Sequence, residues 1–416
     1  MSERPARADV IIIGGGMVGV TLALMLAQQL PQLRVTLLEA QRFPALDPDQ
    51  PLPYTAGFDA RNTALSRRTV QAFSDLGLWP QLQPHATPIQ QIHISERGQF
   101  GLSRLRADEE QVESFGQVIE NAWLGVVLLA ALKQCPSVTL CDGVQVTALT
   151  TSADAATVTL QQADGQVSQL SAPLVIAADG TQSRSRDWLG LTARWHDYGQ
   201  TALVTTIATS LPHQHEAFER FTEDGPIALL PLPDAANQPS QTRRSLVWAL
   251  KTAEAERVQA LSDSDFLVEF QRAFGRRAGR FTRVGQRHAY PLQLMVAHQQ
   301  TMPRAVILGN AAHSLHPVAG QGFNLCLRDV LVLVETLRDA CSQGTDLGDP
   351  ARWQTYEARR QADQQQIIRF SDGLVRGFSN ANPLLQLARN IGLLGFDLLP
   401  GAKPLVARYA MGLSHV

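Results

Sequence analysis

The sequence predicts an α/β protein with a parallel-sheet lobe, an inserted antiparallel sheet and a helical C-terminal region. Three observations predict it. Asp9 to Ile13 is a short apolar strand that runs into Gly14-Gly15-Gly16-Met17-Val18-Gly19 and an Ala/Leu-rich helix to about Leu30. Leu174 to Ala178 is a second apolar strand, ending in Asp179-Gly180. Val306 to Leu308 is a third, followed by a His/Pro loop, Gly320-Gln321-Gly322 and a helix. Such short apolar runs suit strands buried on both faces.

Each element of the first stretch has a physical job. Arg34 to Leu38 is a strand with Glu39 at its end, 20 residues after Gly19. Strand, glycine turn, helix, strand and acid together form the dinucleotide fingerprint of a Rossmann-like lobe. Gly14 permits the tight turn, Gly16 lets a pyrophosphate approach the backbone, and Gly19 lets helix and strand pack closely. Met17 and Val18 open the helix whose first N–H groups face the phosphates. Glu39 accepts hydrogen bonds from ribose hydroxyls and disfavours a 2′-phosphate, which points to FAD or NAD.

Further along, Phe58-Asp59-Ala60-Arg61-Asn62-Thr63-Ala64-Leu65-Ser66 is expected to open a helix to about Leu76. Strands are expected over Ile89 to Ser95, Val138 to Leu140, Val144 to Leu149 and Ala156 to Leu160, with a helix from Asn121 to Gln134. Asp179 and Ser183 read either as caps of a following helix or as groups at a ligand-binding strand end. From Thr201 to about Tyr290 the strand-like runs Thr201 to Ile207, Ile227 to Leu232 and Ser245 to Leu250 suggest an antiparallel sheet. Ser262 to Phe274 reads as a helix capped by Ser262 or Asp263. After Gly322, Phe323, Cys326, Leu327, Val330, Leu331 and Val334 fall on one helical face. Gly320 and Gly322 let something flat or anionic come close to that helix's positive end. The expected division is an FAD-type lobe over 1–75, 106–195 and 291–345, a substrate lobe over 76–105 and 196–290, and a helical region over 346–416.

Composition excludes several classes. At 416 residues the chain needs more than one core. Apolar content of 44% with 18% charged residues describes a globular protein, and a net charge of -2 gives no global reason to bind nucleic acid. Cys135, Cys141, Cys326 and Cys341 lack metal spacing and read as free thiols in a reducing compartment. His313 and His316 sit in a loop without a Cys or carboxylate ligand nearby, so no metal is expected. The charged first residues lack a secretory h-region, and the apolar run near Trp123 to Leu132 is about half of the roughly 20 residues a membrane helix needs. A cytoplasmic location is expected.

The three glycine-bearing motifs in this order resemble the class A flavin monooxygenases, the FAD-dependent aromatic hydroxylases of the para-hydroxybenzoate hydroxylase type. Phe58 to Arg61, Phe218-Glu219-Arg220-Phe221 through Pro231, Gly309-Asn310-Ala311-Ala312-His313-Ser314-Leu315-His316-Pro317, and the tail from Arg389 to Leu413 resemble the ubiquinone-biosynthesis branch of that family. The resemblance runs over essentially the whole chain. It implies FAD as cofactor and NAD(P)H as co-substrate. It also implies O2 activation as a C4a-hydroperoxyflavin and hydroxylation of a polyprenylated phenol, 2-polyprenyl-6-methoxyphenol. The alternatives are another FAD-dependent aromatic-ring hydroxylase, a prenyl-lipid flavin reductase of the same fold, or a non-catalytic FAD-bearing subunit. The resemblance further places Gly14, Gly16, Met17, Val18, Gly19, Glu39, Arg61, Asp179, Gly309, Asn310, Gly322, Phe323 and Asn324 around FAD. It places Pro317, Gly320, Gln321 and His313 beside the reacting ring. The family has Gly-Asp where this chain has Gly309-Asn310, and an Asn carbonyl oxygen accepts the same hydrogen bond without charge. A lipid-tailed substrate also implies peripheral contact with the inner face of a membrane or a biosynthetic complex that delivers the lipid, and a homo-oligomer is a further expected partner. Gln364 to Leu413, apolar with interspersed Arg, either packs across the FAD lobe or supplies that surface.

Overall fold

The computed structural model describes residues 8–46, 50–54, 61–98, 102–234, 242–315 and 320–378. His316, Pro317, Phe58 to Ala60 and the tail from 379 onward lie outside them. The strand Val10–Ile13 is buried along its whole length and sits inside a parallel sheet. Its neighbours are Val35–Glu39 on one side and Leu174–Ala177 on the other. Val138–Asp142 and Ala305–Ile307 extend the sheet in parallel, and Thr301–Met302 closes one edge antiparallel. The helices Met17–Gln29, Asn121–Lys133 and Gln321–Ser342 bury Leu22, Leu26, Leu124, Val127, Leu333 and Leu337 in one core with these strands.

A second sheet is antiparallel over most of its pairings and carries Ala193–Thr209 as its longest strand, with Thr242–Lys251, Pro226–Pro231, Glu216–Phe221 and Gln91–Glu96 following in order. Its outer face is sealed by the helix Asp263–Phe274. Phe266, Phe270 and Phe274 pack there on Trp248, Phe218 and Phe281. Ser262 caps that helix by accepting from the Asp265 N–H, as expected.

Two expectations are corrected. Asn62–Ser66 is a strand, paired with Gly116–Glu120, and the helix begins only at Arg67. Ser66 is its cap, accepting from the Thr69 N–H, so sheet pairing overrides a sequence that reads as helical up to that point. The run expected over Ile89 to Ser95 divides at Gln90. Ala86–Ile89 pairs with Gly116–Glu120, whereas Gln91–Glu96 joins the large sheet.

Polar contacts tie the layers together. Arg243 of the large sheet forms an ion pair with Glu120, and both side chains are buried. Asp329, also buried, accepts from His313 Nε2 and Arg360 Nε, each at 2.5 Å, and from Gln364 Nε2 at 2.9 Å. Burial alone would raise its carboxyl. The His313 ring and the Arg360 guanidinium outweigh that and hold it down to about 2. The Tyr198 hydroxyl donates to Asp372 on the helix Pro350–Phe378 at 2.9 Å. No helix among the described residues is long and apolar enough to cross a membrane.

Removing one partner of a buried ion pair strands the other charge. Arg243→Ala is expected to cost about 3–5 kcal/mol in urea unfolding. A loss below about 1 kcal/mol would show that Glu120 finds other compensation.

Candidate FAD and substrate site

The four inner strands of the parallel sheet end on one side, and their ends carry the chemistry. Ile13 leads to Gly14, Val35–Glu39 ends on its acid, Ala177 leads to Ala178-Asp179-Gly180, and Ile307 leads to Leu308-Gly309-Asn310. Ligands of open α/β sheets sit at this edge.

The first glycines are forced by packing. Gly14 has φ +109°, and a Cβ there would lie 2.4 Å from the Ala178 carbonyl oxygen. A Cβ on Gly19 would lie 1.9 Å from the Gly14 oxygen. Gly16 differs, because a Cβ there would meet nothing within 4 Å. It precedes the helix Met17–Gln29, and no side chain caps that start. Glu39 accepts the Gly15 N–H at 2.7 Å and the Gln41 N–H at 2.8 Å, which fixes the carboxylate beside the glycine turn.

A second helix start faces the same space. Gly320 is left-handed at φ +59° and begins Gln321–Ser342, again with no side-chain cap. Gly322 has open space where a Cβ would stand, Phe323 stacks on Phe73, and Gln321 is buried. Gly309, at φ +64°, sits against the Val18 side chain, and Asn310 follows it into the open. Two uncapped helix N-termini therefore converge, each preceded by backbone with no side chain in the way.

Between them and the antiparallel sheet lies one cavity of about 670 Å³. Gly16, Met17, Val18, Gly180, Asn310 and Gly320 to Asn324 line one wall. Ile92, Ile94, Ala217, Phe221, Ala228, Leu230 and Val247 line the other. The first wall fits FAD on the structure's own terms: two positive helix ends, glycine gaps for a backbone approach, and an acid at the second strand. The second wall is an apolar face suited to a hydrophobic ligand.

Not every residue expected here lines the cavity. Asn324 does, yet its amide is saturated inside the protein. Its oxygen accepts the Ser66 N–H at 2.9 Å and the Thr69 hydroxyl at 2.7 Å, and its nitrogen donates to the Ala64 and Gly320 carbonyls at 2.9 Å each. Asn324 thus brackets the Gly320 turn and cannot offer its side chain to a ligand. Asp179 holds the Ser183 hydroxyl at 2.5 Å and the Ser185 N–H at 3.0 Å, so it organises the start of Arg184–Trp188 while Gly180 faces the cavity. Arg61 is exposed, its guanidinium 5.8 Å above the Tyr290 ring. His313 is not in the cavity wall. It is buried, with its Nε2 against Asp329, which ties the segment before the Gly320 turn to the helix Gln321–Ser342.

Sequence reasoning missed Glu219 as a cavity residue. Ala217, Phe218, Glu219 and Phe221 line the cavity wall, and Glu219 is the one acid among the described residues that form it. Its Oε1 is buried without a hydrogen-bond partner. Burial pushes its carboxyl up to about 8. The legible signal was an acid at an inward position of an otherwise apolar alternation.

Gly16→Val is expected to leave the melting of the cofactor-free protein unchanged and to abolish FAD binding in a titration. Gly19→Val is expected to destabilise the cofactor-free fold itself. Equal FAD affinity in Gly16→Val and the unsubstituted chain would place the pyrophosphate elsewhere. Glu219 also makes a pH prediction. Its folded-state pKa is raised, so its contribution is fully present below the unfolded value and is lost as pH rises toward about 8. Glu219→Gln is therefore expected to raise the melting temperature at about pH 9 and to change it little at about pH 4. Equal gains at both would contradict a buried, shifted carboxyl.

Comparison with known proteins agrees with this geometry. The family model described as an FAD binding domain matches residues 7–371. Ubiquinone hydroxylase UbiL of Rhodospirillum rubrum is 36% identical over 97% of this chain and 90% of its own length. The 3-demethoxyubiquinol 3-hydroxylase of Escherichia coli is 32% identical over 99% of this chain and 100% of its own. Among solved structures, p-nitrophenol 4-monooxygenase PnpA from Pseudomonas putida superposes with a TM-score of 0.76 at 16% identity, covering 99% of this chain and 100% of that one. PqsL from Pseudomonas aeruginosa gives 0.73 at 19% identity over 94% of this chain and 100% of its own. The chain belongs to the FAD-binding-domain family of flavin-dependent monooxygenases, in the branch that holds the ubiquinone hydroxylases.

Proposed function

We propose that this enzyme hydroxylates the aromatic ring of a polyprenylated phenol of the 2-polyprenyl-6-methoxyphenol type in ubiquinone biosynthesis, using FAD, NAD(P)H and O2. One observation carries the reading. A single cavity joins a wall that fits FAD to an apolar sheet face that fits a hydrophobic ring and the start of its tail. The names of the relatives, a ubiquinone hydroxylase and a 3-demethoxyubiquinol 3-hydroxylase, support the substrate class.

In this reading Gly14, Gly16, Met17, Val18, Gly19 and Glu39 hold the pyrophosphate and ribose. Gly309, Asn310 and the backbone of Gly320 to Phe323 hold the ring end, and Pro317 and Arg61 act near that end. FAD, when bound, supplies electron transfer from NAD(P)H and delivery of one oxygen atom from O2 to the ring. The chain's own residues do the rest. The helix start at Gln321 stabilises negative charge near it. Gly320 and Gly322 permit the close approach, and Asn324 fixes the turn that presents them. Ile92, Ile94, Leu230 and Val247 exclude water and place the substrate ring. The division into an FAD lobe and a substrate lobe belongs to the same reading, as does delivery of the lipid substrate at a membrane surface or within a complex of biosynthetic proteins.

The purified protein with added FAD is expected to show flavin absorption bands that bleach with NADPH or NADH and return in air. NAD(P)H oxidation is expected to accelerate when a prenylated 2-methoxyphenol is added. A bleached flavin that air does not restore would favour a reductase of the same fold, and a protein that takes up no FAD would remove the reading.

A further inference from the structure

We infer that Glu219 receives the phenol hydroxyl of the substrate and acts as the base that draws its proton during hydroxylation. The inference rests on the phenol-hydroxylase reading and extends it to a residue.

Glu219 pairs with Ala228 on one side and Ile94 on the other, and both neighbours line the cavity with it. Val247, which pairs with Ala228, continues the same wall. The carboxyl therefore stands in an apolar face of the cavity that the helix start at Gln321 also lines. An acid in such a place costs stability unless something polar meets it. Its Oε1 has no partner among the described residues, and the cavity is where a partner would come from.

Among the described residues that line the cavity, none carries a competing charge. Along the sheet, Glu96 pairs with Phe221 and does not line the cavity, and Arg243 is taken up by Glu120. Arg220 follows on the same strand and is no part of the cavity wall. Across the cavity the only titratable side chain among the described residues is Cys326, a buried thiol pushed up by desolvation. Burial alone accounts for the raised pKa of Glu219, about 8, which sits between an ordinary carboxylate and a phenol.

The step moves one proton. The phenol O–H bond breaks and a carboxyl O–H bond forms. The electron pair left on oxygen spreads to the ring carbons ortho and para to it, which makes them better targets for an electrophilic oxygen atom. The ring carbon that took the oxygen atom then releases its own C–H proton to solvent, the ring becomes aromatic again, and the proton held on Glu219 returns to the ring oxygen, so the carboxylate is regenerated and no further reagent is consumed.

The test uses the FAD-loaded full chain with Glu219→Gln and Glu219→Asp. The probes are a short-chain prenylated 2-methoxyphenol and its methyl ether, which lacks the hydroxyl. Probe binding is read from the change in flavin absorption, and hydroxylation is read from product. Unsubstituted enzyme is expected to hydroxylate faster as pH rises through about 8, because the base must be ionised. Glu219→Gln is expected to bind FAD normally, to lose about 100-fold in hydroxylation and to lose the pH limb. Glu219→Asp is expected to recover part of both. Unsubstituted enzyme is expected to prefer the phenol over the ether in binding, and Glu219→Gln to lose that preference. A Glu219→Gln enzyme with the original pH limb, or with the phenol-over-ether preference intact, would overturn the inference. So would variants that lose FAD and both probes together, which would mark Glu219 as structural. No hydroxylation of any prenylated phenol by the unsubstituted enzyme would instead fail the functional reading, while the phenol-over-ether comparison would still report on Glu219.

Discussion

The contact between Gly19 and the carbonyl of Gly14 is the constraint on which the rest of the structure depends. No side chain fits between them, so the first helix starts directly against the end of the first strand. That places the uncapped N-terminus of the helix at the sheet edge where the other parallel strands also end. Glu39, Gly180 and Asn310 come to the same edge because their strands are in register with Val10–Ile13 or one strand removed from it. A glycine at 19 is thus a packing requirement, whereas the glycine at 16 is a space kept open. The two look alike in sequence and have different physical meanings.

The far wall is set by different forces. The antiparallel sheet buries one face under the aromatic cluster of Phe266, Phe270 and Phe274, and turns the other face inward over the cavity. The inward face is apolar except for Glu219, an expensive group to bury unpaired. Proteins tolerate such a cost mainly at sites that act on something. By contrast Asp329, more deeply buried, is fully partnered by His313, Arg360 and Gln364, and its place is architectural. Satisfaction of the carboxylate separates these two roles.

Much of the first wall was legible in the sequence, because its constraints are local. Strand, glycine spacing, helix and acid follow one another within the first 39 residues, and each signal sits next to the element it governs. The helix after Gly322 was legible from its apolar period, and the Ser262 cap from its neighbours. The second wall was not legible. Which face of a strand points inward depends on pairings between Glu216–Phe221, Gln91–Glu96 and Pro226–Pro231, and these are set by contacts far apart in the chain. The same distance hid the bond between Asn324 and Ser66, and the partnership of His313 with Asp329. Asn62–Ser66 misled for a related reason: its strand character comes from Gly116–Glu120 and not from its own residues.

The central claim is that this cavity holds a ring to which one oxygen atom of O2 is transferred. Turnover of a prenylated 2-methoxyphenol under isotopically labelled oxygen gas, with FAD and NAD(P)H, tests it most directly. The account predicts one labelled oxygen atom in each molecule of product and the other in water. An unlabelled product, or a product that forms equally well without oxygen, would contradict it.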